Sequence, residues 1–127
     1  MENYNFEEFN SVGSRFNLVI TLGKAERFYF GNSLCRKYNI LTLAGVKLLF
    51  DKNKDAVGFK LLTEPEDGMV GIKKLDDKSA YINAKAFLGM YDLEANKYSG
   101  RYHPTETTDS TGKKVLIIEL KKKEIEV

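Results

Sequence analysis

Sulfur and imidazole chemistry have little to work with in this chain. It holds one cysteine, Cys35, and one histidine, His103. A lone thiol closes no internal disulfide, and a structural zinc site normally takes four ligands, so both common staples of small folds are excluded. Long apolar runs are missing too: no stretch approaches the roughly 20 residues of a membrane span. The opening MENYNFEEFN is acidic and lacks the basic segment and apolar run of a signal peptide. Charge of one sign is scarce. Lys and Arg total 20 and Asp and Glu 18, for a net +2 and a pI near 8.5. A strong nucleic-acid footprint would show a pI above about 9 with clustered cations. Neither G-x-G-x-x-G nor a Walker sequence occurs, so no phosphate cradle is expected. The expectation is a cytoplasmic protein of a reducing compartment, viral and plasmid-borne proteins included, with no cofactor, no metal and no membrane partner.

What is present is enough apolar material for one folded domain. The chain of 127 residues is 43% hydrophobic and 12% aromatic, which argues for a packed core rather than disorder. It also repeats itself. Residues 20–40 read ITLGKAERFYFGNSLCRKYNI and residues 72–93 read IKKLDDKSAYINAKAFLGMYDL. Each begins with a strand pattern and a polar turn. Each returns through an aromatic strand, with Tyr29 and Tyr81 52 residues apart, and then enters a short helical pattern. A repeated supersecondary unit usually means that one unit cannot bury its apolar face alone.

The pass along the chain gives a consistent order. Residues 5–12 predict a short helix capped by Asn5, and 16–22 a strand. The turn at 23–26 leads to a strand at 27–30 and a helix over 33–39. VKLLF (46–50) and VGFKLL (57–62), around the polar DKNKDA, predict a β-hairpin. TEPEDGM (63–69), with Pro65 and Gly68, reads as a linker. The second copy predicts strands at 69–75 and 79–82, a helix near 84–90, extended structure at 98–103, a polar loop PTETTDSTGKK and a strand VLIIEL (115–120). The division is therefore an arm or short helix at 1–16, a first repeat at 17–62, the linker at 63–69, a second repeat at 70–120 and a charged tail at 121–127.

The unit resembles the repeat of the AbrB/SpoVT-type swapped-hairpin β-barrel. The residues that carry the likeness are Ile20-Thr21-Leu22, the turn, Phe28-Tyr29-Phe30-Gly31-Asn32, the helix ending at Ile40 and the hairpin VKLLFDKNKDAVGFKLL. The chain departs from the family's common Gly-Asp pair after the helix, having Leu43-Ala44-Gly45-Val46 there. With both copies in one chain, the resemblance implies a mainly β (α+β) protein. Its architecture would be a pseudo-two-fold swapped-hairpin β-barrel with one short helix per repeat, a monomeric pseudo-dimer or a homodimer. It also implies DNA contact by basic residues around the first hairpins. Carried over by position these are Arg15, Lys24, Arg27, Lys73, Lys74 and Lys78. Lys and Arg there would neutralise phosphates, although Glu26, Asp76 and Asp77 lie among them.

Other candidate chemistry reads as structural. Asp51, Asn53 and Asp55 match the opening of an EF-hand loop. However, Ala56 stands where glycine is needed and Leu62 where a bidentate glutamate is needed, so a hairpin turn is expected. His103, beside Pro104, has no nucleophile or carboxylate at a recognisable spacing and is expected on a surface loop. Cys35 is expected to be a core-facing thiol. Tyr29, Tyr38, Tyr81, Tyr91, Tyr98 and Tyr102 are expected mainly in the core, with exposed stacking the lesser reading. No catalytic set is visible. The expected function is non-enzymatic DNA binding by a transcriptional regulator or antitoxin-like protein. The alternative is a small protein-binding inhibitor or adaptor using an apolar or tyrosine patch, with NYNFEEF as a docking arm.

Overall fold

The computed structural model describes residues 18–122. The predicted helix at 5–12, most of the charged tail and Arg15 fall outside them. The described chain is mainly β, with nine strands and three short helices.

The first strand, β1 (Ile20–Gly23), turns back into β2 (Arg27–Phe30) through a three-residue loop. Glu26 adopts the left-handed conformation there, with φ 63°, and its amide donates to the Gly23 carbonyl at 3.1 Å. This is the usual construction for a hairpin loop of that length. Helix α1 (Asn32–Tyr38) ends at Asn39, whose φ of 52° makes it a left-handed cap, with Arg36 and Lys37 in the last turn where the helix dipole favours cations. A 3-10 turn at Ile40–Thr42 leads to β3 (Gly45–Asp51) and β4 (Ala56–Leu62). The Asp51 carboxylate accepts the amides of Asn53 (2.9 Å) and Lys54 (3.3 Å), so it closes its own turn as the hairpin reading expects.

In the second half, β5 (Lys73–Lys74) pairs with β6 (Ala80–Asn83). Helix α2 (Lys85–Met90) ends in a Schellman motif, with Leu93 N–H on the Leu88 carbonyl at 2.8 Å and Asp92 left-handed at φ 55°. A further helix, α3 (Ala95–Tyr98), precedes β7 (Gly100–Tyr102). The predicted polar loop is half strand: β8 (Thr105–Thr108) pairs with β9 (Lys114–Glu119). Threonine-rich TETT is a good edge strand, and its polarity hides it from an apolar pattern search.

The strands form two antiparallel sheets. One runs β5-β6-β2-β1-β7, the other β3-β4-β9-β8. Each half therefore gives one hairpin to each sheet, and the second half adds β7 at the edge of the first. In the first sheet the hairpins meet at β2 and β6, where Tyr29 lies directly opposite Tyr81 and Phe28 opposite Ile82. In the second they meet at β4 and β9. The described ladders do not close into a barrel. At one seam the sheets touch through a single bridge, Val46 to Val70, with two backbone hydrogen bonds of 2.9 and 2.8 Å. At the other, β7 leads into β8 across His103-Pro104, and proline has no N–H to continue a ladder.

The core lies between the sheets. Phe28, Phe30 and Phe59 meet edge to face, with centroids 4.9 and 5.9 Å apart. Ile20, Leu22, Ile82, Leu116 and Ile118 surround them, none more than 1% exposed. Leu34 and Cys35 of α1 and Leu88 of α2 close the edges of this cluster. Cys35 behaves as expected: its thiol donates to the Phe30 carbonyl at 3.5 Å, and burial pushes its pKa up to about 11. No helix of the described residues is long and apolar enough to cross a membrane.

Candidate nucleic-acid interface

Strand alternation decides which side chains share the outer face of the five-stranded sheet. Directly opposed residues point the same way. The register sets Arg101 beside Thr21, Thr21 beside Tyr29, Tyr29 beside Tyr81 and Tyr81 beside Lys73 in one row across the sheet. The next row holds Gly23, Arg27 and Asn83. The opposite face carries Ile20, Leu22, Phe28, Phe30 and Ile82, all in the core.

Tyr29 and Tyr81 thus depart from the core expectation. Tyr38, Tyr91, Tyr98 and Tyr102 pack against the buried cluster. Tyr29 and Tyr81 are half-buried on the outer face instead, their rings 5.8 Å apart and tilted by 43°. The Arg27 guanidinium lies over the Tyr81 ring at 4.5 Å from its centroid, a cation–π contact. A Cβ on Gly23 would stand 2.9 Å from Cε2 of Tyr29, so glycine gives that ring its seat against β1.

The structure brings some of the predicted basic residues together and separates others. Arg27 and Lys73 share the outer face. Lys24 is exposed in the β1–β2 turn and Lys78 is exposed in the β5–β6 turn, at opposite ends of the sheet. Lys74 is exposed at the edge, but its register opposite Ala80 turns it to the other face. Arg101 was missed by sequence reasoning. Only the pairing of β7 with β1, some eighty positions apart in the chain, reveals it (Thr21 opposite Arg101).

Charge separates the two sheets. No strand residue of the five-stranded sheet is acidic, while Arg27, Lys73, Lys74 and Arg101 are basic. None of these four is in an ion pair among the described residues, whereas Lys60 of the other sheet pairs with Asp109 at 2.8 Å and Lys47 with Glu66 at 3.9 Å. The second sheet mixes Lys47, Lys60 and Lys114 with Asp51, Glu106 and Glu119. The turn acid Asp76 is engaged locally. It accepts the Lys78 and Ser79 amides at 2.8 Å and the Ser79 hydroxyl at 2.9 Å, and these hydrogen bonds hold its pKa below the usual carboxylate value.

The remaining tyrosine and histidine contacts are structural. Tyr38 donates to Glu106 Oε1 at 2.7 Å, with Lys37 and Lys114 over its ring, which ties α1 to β8. Burial, then that hydrogen bond, raises its pKa. His103 is exposed, with Nδ1 3.2 Å from the Leu18 carbonyl oxygen. No group of three or more His, Cys, Asp or Glu among the described residues is placed to hold a metal ion. No protein-family model matches the chain, and no curated protein or solved structure matches it.

Proposed function

We propose that this is a non-enzymatic DNA-binding protein, a transcriptional regulator or antitoxin-like protein, that contacts phosphates through the outer face of its five-stranded sheet. The observation that carries this reading is the charge asymmetry: the strands of one sheet carry only cations, none of them in an ion pair among the described residues, while those of the other carry three cations and three acids, with Lys47 and Lys60 each held by an acid of a neighbouring loop. Phosphate neutralisation by such cations supplies most sequence-independent affinity. The architecture fits the resemblance to AbrB/SpoVT-type barrels. Each half supplies one hairpin to each sheet, with β7 of the second half added to the first, and this interleaving of the two halves supports the reading.

The test is a fluorescence titration of labelled DNA at low salt with sheet-specific charge reversals. Arg27→Glu with Lys73→Glu should abolish binding, and Lys47→Glu with Lys114→Glu should leave it nearly intact. Equal loss from both pairs, or no binding by the parent chain, contradicts the reading.

The second reading is a protein contact, and one feature favours it. On the outer face of the four-stranded sheet, Leu49 is 43% exposed beside Gly58, in a row with Ile117. A glycine between two apolar side chains leaves a shallow apolar depression. Leu49→Asp would abolish such a contact and leave DNA affinity unchanged.

A further inference from the structure

We infer that the DNA taken by this face is single-stranded, with a base stacked on the ring of Tyr29 and the phosphates following Arg101, Arg27 and Lys73. The inference rests on the DNA-binding reading above and adds the ligand's form.

Duplex sequence is read by a helix or two-stranded ribbon that enters a groove. The outer face of this sheet is a broad surface, with one row of residues across all five strands, a second across three, and two aromatic rings in the middle. Aromatic rings on a sheet, flanked by cations, are the recurring platform for unpaired bases. Both rings here are half-buried, so their orientation is held before any ligand arrives. Tyr29 is seated against Gly23 and Tyr81 is covered by Arg27.

The two rings are not equivalent, although they sit at the same position of the repeat. Arg27 is the diagonal neighbour of Tyr81. The position 52 residues on, the diagonal neighbour of Tyr29, is Ser79, whose hydroxyl is engaged with Asp76. Tyr29 therefore has no guanidinium over it from that side. It borders a depression whose walls include Thr21, Gly31, Asn32, Leu75, Ser79 and Arg101. Leu75 is 55% exposed there, an apolar edge for a base, and Arg101 supplies the charge for its phosphate. The face thus has one open ring with a cation beside it and one ring already stacked.

The experiment uses intrinsic emission. The chain has seven tyrosines and no tryptophan, so its fluorescence reports tyrosine alone. An oligothymidylate of about twelve nucleotides, the scale of one sheet-based site, is titrated beside a duplex of equal length. The expected result is tighter binding of the single strand with quenching of tyrosine emission. Tyr29→Leu should weaken it about ten-fold, within the range for losing one base–aromatic stack. Tyr29→Phe keeps the ring and should bind within about two-fold of the parent, but with much of the quenching gone. This second variant keeps the test sharp even where leucine unsettles the fold. Undiminished quenching in Tyr29→Phe, or duplex bound as tightly as the single strand, overturns the stacking inference and leaves the charge reading standing. No binding of either form at low salt removes both.

Discussion

Glu26 is a glutamate in a conformation that suits glycine. Its left-handed backbone costs a non-glycine residue about 1 kcal/mol, and its carboxylate lies in the turn that carries Lys24. Glu26→Gly removes both burdens. We expect a gain of about 0.5 kcal/mol after the extra freedom of the unfolded glycine is counted, read as a higher denaturation midpoint, together with tighter DNA binding. Asp109 shows the reverse case, a side chain well placed. Lys60, then Thr111, hold its carboxyl well below the usual carboxylate range, and the Thr111 and Lys113 amides add to this at 2.9 Å each. A depressed native pKa gives stability that is complete above the unfolded value near 4 and is lost as pH falls below it. Asp109→Ala should therefore lower the melting temperature at neutral pH, and its difference from the parent chain should shrink at pH below about 4.

At the scale of elements, strand β5 turns its two lysines to opposite faces of the five-stranded sheet. Lys73 stands in the outer row beside Tyr81, and Lys74 opposes Ala80 on the other side. Lys73→Ala should flatten the salt dependence of DNA affinity by about 0.7 per lost phosphate contact of a single strand, and Lys74→Ala by distinctly less. A pair of equal effects would mean that the edge, not the face, meets DNA. The sequence made the hairpins legible because apolar residues alternate in them, as in Ile20, Leu22, Phe28 and Phe30. It also placed α1 and α2 within a residue or two. It concealed β8, because a threonine edge strand has no apolar face, and α3, because four residues give no period. The site was half legible. Arg27 and Lys73 could be named from their turns, but Arg101 joins them only through long-range pairing, and the outward turn of Tyr29 and Tyr81 follows from a register that local patterns do not fix.

At the scale of the whole molecule, one core holds two faces of different chemistry. Phe59 of the second sheet fills the space between Phe28 and Phe30 of the first. Phe59→Ala should cost about 3–5 kcal/mol, a large share of the stability of a chain this size, and chemical denaturation would record it. Because the aromatic contacts join the sheets, both should melt in one transition. The outer faces are independent of that core: one is basic and aromatic, the other charge-balanced with a shallow apolar depression. The central claim is that the basic face binds DNA through its phosphates. Its most direct measurement is the affinity for oligothymidylate between about 50 and 200 mM salt. Contacts from Arg27, Lys73 and Arg101 predict a logarithmic slope of about −2 for a single strand. An affinity that does not change with salt, or no binding at the low-salt end, would contradict the account.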